Sequence, residues 1–111
     1  MRACGGEILG TLGMARRAGA LLVGQDKVLA ALKSGGRYVV FVTCDCAANV
    51  TRRLEAAAGR GRADIILIKG TDRAGLGAAL GLTAAQTAAL PAESGFVKKI
   101  HTICDRSDAN E

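Results

Sequence analysis

Aromatic side chains are scarce in this chain: two Phe, one Tyr and no Trp in 111 residues. A core without aromatic bulk must be filled by Leu, Val, Ile and a great deal of Ala. Ala-rich faces imply closely approaching helices and strands, which suits a small α/β layer structure. No apolar run reaches the length of a bilayer span, and the opening Met-Arg-Ala-Cys-Gly-Gly lacks the apolar region of a secretory signal. These absences lead us to expect a cytoplasmic protein whose four cysteines, Cys4, Cys44, Cys46 and Cys104, are reduced. With no internal repeat and no linker, we expect one domain over residues 1–104 and a polar tail over 105–111.

Residues that carry out chemistry are equally thin. His101 is the sole histidine, with no nucleophile or carboxylate partner in sequence, and no general acid/base pair stands out. Cys44-Asp45-Cys46 together with His101 and Cys104 supplies three thiols and an imidazole. Cys-x-Cys is not the usual spacing of a structural zinc site, however, nor the redox spacing Cys-x-x-Cys, and buried Cys is a common small hydrophobe. Gly24-Gln25-Asp26-Lys27 is neither a dinucleotide fingerprint nor a P-loop. The expectation is a noncatalytic chain with no metal and no cofactor.

What the chain has is positive charge. The formal net charge is +5, yet residues 1–104 hold 14 basic and 7 acidic side chains, because acids crowd the last seven positions. That balance suits a nucleic-acid partner better than an acidic metabolite. The cations come in pairs: Arg16-Arg17, Arg52-Arg53, Arg60 with Arg62, and Lys98-Lys99. Arg52-Arg53 read as an outward, solvated face of a helix, and the contacts of Lys98-Lys99 are unspecified, so neither pair enters the expected site.

The densest signal is Leu12–Lys33. Helical spacing of Ile8, Leu12 and Ala15 predicts a helix over 7–18, with Gly19 just past its end, and the apolar run 20–23 reads as a short strand. Gly24-Gln25-Asp26-Lys27 opens a second helix over 26–34, with Val28, Leu29 and Leu32 on one face. Unpaired N–H groups at that helix start, its dipole and nearby cations favour an anionic ligand. Lys27 opposes the dipole where it stands, a local cost that a bound phosphate offsets. Arg16 and Arg17 have two open roles, contacting phosphate or meeting the last carbonyls of their own helix. Asp26 reads as a first-turn carboxylate, and Gln25 offers both a donor and an acceptor to a base edge.

Downstream, Arg37–Thr43 reads as a strand buried on both faces and central in its sheet. Ala47, Val50, Leu54 and Ala57 form a helical stripe ending near Gly59, and 64–69 is a second apolar strand, so the three elements predict a parallel βαβ unit. A short helix over 72–80 turns Leu76, Ala79 and Leu80 inward. A loop over 82–85 and a strand over 86–90 follow. A last helix over 93–104 turns Phe96, Ile100 and Ile103 inward, and the chain beyond it reads as frayed.

Three segments, LGMARRAGALLVGQDKVLAALKSGGRYVVFVTCDCAANVTRRLE, IILIKGTDRAGLGAALG and GFVKKI, together resemble the kink-turn-binding ribosomal protein superfamily of L-seven-Ae and L-thirty-e type, in particular its small bacterial YlxQ-like branch. The resemblance spans roughly residues 7–101, with Asp45, Asn49 and Leu54 matching the branch pattern. It implies a three-layer α/β/α sandwich around a small mixed sheet and no catalytic residues. Its RNA face would combine the start of the second helix with the loop before the last strand. By position, Gly24, Gln25, Asp26 and Lys27 occupy that helix start, Arg37 the basic entry to the central strand, and Leu82, Thr83, Ala84 and Ala85 the loop. Known kink-turn binders resemble Asn-Glu where this chain has Asp26-Lys27, so an acceptor for a guanine edge is replaced by a cation that accepts nothing. The loop likewise lacks the usual Pro and Arg. The reading is an RNA-binding module for structured, ribosome-related RNA, with a ribosomal or translation-related protein as a further partner. The alternative is a protein-interaction scaffold of the same fold that has lost its RNA site.

Overall fold

The computed structural model describes residues 1–109, with side chains through Arg106. The chain runs β1 (Arg2–Cys4), a 3-10 turn (Gly6–Ile8), α1 (Leu9–Arg17), β2 (Leu22–Val23), α2 (Gln25–Lys33), β3 (Tyr38–Val42), α3 (Ala48–Gly59), β4 (Ala63–Ile68), α4 (Arg73–Leu80), β5 (Thr87–Pro91) and α5 (Gly95–Ala109). The sheet order is β1-β4-β3-β5-β2. β1, β4 and β3 are mutually parallel, and β5 runs antiparallel to both β3 and β2. The sheet is thus mixed, with β3 at its centre, as continuous Val-Val-Phe-Val burial requires.

The alternation of side chains along the strands splits the core in two. On one face Val39, Phe41, Ile66, Ile68 and Leu90 meet Ile8, Leu12 and Ala15 of the α1 segment, Leu76 and Leu80 of α4, and Val97 and Ile100 of α5. On the other, Val40, Val42, Ile65 and Ala89 meet Val28 and Leu32 of α2 and Val50, Leu54 and Ala57 of α3. Helices α1, α4 and α5 therefore cover one face and α2 and α3 the other, a three-layer α/β/α sandwich.

Scarcity of bulk shows directly in the packing. A Cβ on Gly13 would lie 2.7 Å from the Ala79 carbonyl oxygen, so α1 and α4 cross at backbone contact distance.

Four expectations are corrected. β1 was not foreseen: Arg-Ala-Cys has no strand signature, and only pairing of residues 2–4 with Ile66–Ile68 of β4 makes it one. The last helix continues to Ala109 instead of ending at Cys104, so residues 105–109 of the expected frayed tail are helical; 110–111 lie outside the described residues. Its inward residues are Val97, Ile100 and Cys104, with Phe96 and Ile103 half-buried, because the helix is turned to seat Cys104 against β1. Finally, Cys4 and Cys104 form a disulfide, their Cα atoms 5.4 Å apart, while Cys44 and Cys46 are free. Expecting four thiols failed because nothing in the sequence placed the first strand beside the last helix.

Candidate nucleic-acid interface

The start of α2 depends on a conformation that glycine adopts easily. Gly24, the residue capping α2, has φ +95°, where L side chains are strained, and open space surrounds the position a Cβ would take. Backbone geometry, not crowding, therefore demands glycine, and the open space leaves the α2 start approachable. No side chain caps the helix, so its first-turn N–H groups keep their capacity to bind an anion. Gln25 is half-buried there, and Asp26 and Lys27 are exposed.

The second predicted part is brought to the first through β5. The Gly24 N–H donates to the Thr87 carbonyl at 3.0 Å, continuing the β2–β5 pairing, so α2 begins where the 82–86 loop enters β5. That loop folds back on α4: the Leu82 N–H donates to the Gly77 carbonyl at 2.7 Å and the Ala85 N–H to the Arg73 carbonyl at 3.0 Å. Leu82 is half-buried against the core, while Thr83 and Ala84 are exposed. Closeness is possible because residue 77 is glycine; a Cβ there would lie 2.6 Å from Ala84 Cα.

Arg16 does not meet the last carbonyls of its own helix, one of the two roles open to its pair. Its guanidinium Nη1 donates to the Leu80 carbonyl at 2.7 Å, so it meets the end of α4, not that of its own helix, and ties α1 to the base of the 82–86 loop. Arg17 is exposed and lies back along α1 beside Gly13.

Arg37 is not brought to this end. Thr87 pairs with Val42 and Pro91 with Tyr38, so Gly24 sits at the C-terminal end of β3 and Arg37 precedes its N-terminal end. Five strand residues, roughly 16 Å, separate them.

Sequence reading missed the joint that holds this end together. Gln86 accepts the Ala47 N–H through Oε1 at 3.0 Å, and its carbonyl accepts the Thr43 N–H at 3.1 Å, linking the loop to β3 and to the start of α3. Arg73 donates from Nη2 to the Asp45 carbonyl at 2.9 Å, and its backbone N–H donates to Asp45 Oδ1 at 3.0 Å. Only the Asp45 match to a family pattern hinted at this. A cleft of about 500 Å3 lies elsewhere, at the β1–β4 edge, lined by Arg2, Glu55, Asp64 and His101 among others. Arg2 is engaged there by Asp105 and by Nδ1 of His101 at 3.2 Å. No helix among the described residues is long and apolar enough to cross a membrane.

Solved structures share this architecture. A protein of unknown function from Bacillus halodurans superposes with a TM-score of 0.77 at 25% identity, over 89% of this chain and 97% of that one. A 15.5 kD RNA-binding protein of Giardia lamblia superposes at 0.65 and 17% identity, over 93% of this chain and 86% of that one. No curated protein shows significant sequence similarity to the chain. The family model for ribosomal protein L7Ae/L30e/S12e/Gadd45 matches residues 6–101, nearly the whole sandwich, and the chain belongs to that family.

Proposed function

We propose that this chain is a noncatalytic RNA-binding protein of the YlxQ-like branch that grips structured RNA, a sharply bent internal loop of kink-turn type, in a ribosome-related setting. The observation that carries the reading is the single hydrogen bond from Gly24 to Thr87, which fixes an uncapped, open helix start at the point where the loop carrying the exposed Thr83 and Ala84 enters β5. A helix start of this kind binds phosphate, and two fixed lips bind a bend better than a straight duplex. Lys27 adds charge to one lip, Arg16 positions the other, and Gln25 is the side chain best equipped to reach a base edge. Membership of the family and the fold shared with the Giardia RNA-binding protein support this reading.

The test is a binding titration of three RNAs, a bent internal loop, its straightened mutant and plain duplex, at several salt concentrations. The bent loop should bind tightest. Lys27→Ala should weaken all three by a similar factor and lower the salt slope by about one, the signature of a lost phosphate contact. Equal affinity for the three RNAs would remove the shape preference, and no binding at low salt would remove RNA as the ligand.

A further inference from the structure

The positive charge of this protein is not concentrated where the α2 start presents itself. There Lys27 stands beside Asp26, both exposed, and Arg16 is engaged by a carbonyl. The opposite end of the same helical layer is different. α2 and α3 lie side by side on one face of the sheet, each starting at the C-terminal end of the strands and ending at the other. Between them is an open groove of about 330 Å3, lined by Leu29, Leu32, Lys33, Arg53, Ala56, Ala57 and Arg60. It has three cations and no carboxylate.

Among the described residues none of the three cations forms an ion pair. Ordinary helix electrostatics explains part of this placement, since Lys33 closes α2 and Arg60 follows α3, where cations favour the carbonyl ends. Arg62 completes that service by donating to the Leu32 carbonyl at 3.2 Å, so it is not counted as available. Arg53 is not explained in this way. It sits mid-helix and points outward one heptad before Arg60, so two guanidinium groups stand on one stripe, about 10 Å apart along the axis.

We propose that the α2–α3 groove is a second RNA contact, in which Lys33, Arg53 and Arg60 hold the phosphodiester backbone of a stem flanking the bent loop. The inference rests on the RNA reading above and extends it. The groove floor decides between a polyanion and an acidic protein segment. Leu32 is already buried and Ala56 and Ala57 are short, which leaves half-buried Leu29 as the one larger apolar side chain open to a peptide anchor, against three cations on the rim. Continuity points the same way. The nine residues of α2 span about 13 Å, so RNA seated at Gly24 meets the groove within the first part of an adjoining stem. The lips at the α2 start then supply shape, and the groove supplies the salt-dependent share of the affinity.

The test uses the full chain and two synthetic RNAs carrying the same bent internal loop, one with flanking stems of a few base pairs and one with long stems. The wild type should bind the long-stem RNA about tenfold tighter. The variant Lys33→Ala/Arg53→Ala/Arg60→Ala should lose that advantage, bind the short-stem RNA within about twofold of wild type, and show a salt slope smaller by roughly two to three on the long-stem RNA alone. Arg53→Lys/Arg60→Lys, which keeps the charge, should retain most of the gain. Equal weakening of both RNAs by the alanine variant would reduce the groove to long-range charge and overturn the proposal. So would protection of Arg53 and Arg60 from an arginine-modifying reagent by a poly-Glu peptide but not by long-stem RNA. Short-stem binding without a long-stem gain overturns the groove alone, whereas a wild type that binds neither RNA overturns the RNA reading with it.

Discussion

Gly24 and Gly77 show how two glycines can matter for opposite reasons. At Gly24 there is room for a Cβ but φ is +95°, so Gly24→Ala forces either a strained conformation or a shift of the α2 start. With ψ at 150° this is a region that essentially only glycine adopts, where another residue costs about 1–3 kcal/mol, and we expect a loss of that size in chemical denaturation together with weakened RNA binding. At Gly77 the backbone is ordinary but the space is taken. Gly77→Ala would drive a methyl into the backbone at Ala84, and overpacking of this kind costs about 1–3 kcal/mol. Because the displaced atoms belong to the 82–86 loop, its amide hydrogens should exchange faster than those of β3. Unchanged stability in both variants would mean that these glycines are incidental. The sequence showed that Gly24 precedes a helix, but φ at that position depends on how β2 hands over from its pairing with β5.

At the level of elements, α3 starts without a side-chain cap of its own, since Ala47 and Ala48 offer none. Gln86 supplies an acceptor from 39 residues away, satisfying the Ala47 N–H and holding the α4–β5 loop against the α3 start. Gln86→Ala should therefore cost about 1–2 kcal/mol, the penalty for a part-buried donor losing its partner, whereas Gln86→Glu should keep the acceptor and most of the stability. Thermal melting of the two variants separates these outcomes; equal loss in both would argue against the hydrogen bond. By contrast, α4 starts on a local cap, Asp72 accepting the Gly75 N–H at 2.8 Å, and this boundary was legible in sequence. Most helices were read to within a residue or two because their apolar spacing is local. α5 runs five residues past the boundary its apolar spacing marks, because its polar end has no apolar partner to announce it.

Across the whole molecule the decisive feature is the covalent link between the two ends of the chain. Cys4 and Cys104, both buried, close a loop 100 residues apart in sequence, joining a three-residue edge strand to the longest helix. In the chain-entropy view a loop of that length gives up to about 4.7 kcal/mol, and removing a native disulfide from a small domain costs about 2–5 kcal/mol. Reduction, or the pair Cys4→Ser/Cys104→Ser, should lower the urea midpoint accordingly and release hydrogen-exchange protection first in β1 and α5. RNA affinity at moderate temperature should change little, because neither element borders the Gly24–Thr87 joint or the α2–α3 groove. An unchanged midpoint under reductant would show that noncovalent packing holds β1 unaided.

By itself the sequence determined the helices, the central strand, the βαβ unit and the glycine at the α2 start. Each is written in local periodicity or local backbone preference, and the family likeness extended those elements into a layered fold. Tertiary structure decided which of them meet. It paired Arg-Ala-Cys into a strand, brought two cysteines that the sequence left apart within disulfide distance, turned Arg16 to a carbonyl of another helix and carried Arg37 to the far end of the sheet. It also drew Lys33, Arg53 and Arg60 together, from what had read as two separate helices and a solvated face. Register and layer order set these encounters, and both depend on contacts between residues far apart in the chain, which no local pattern encodes.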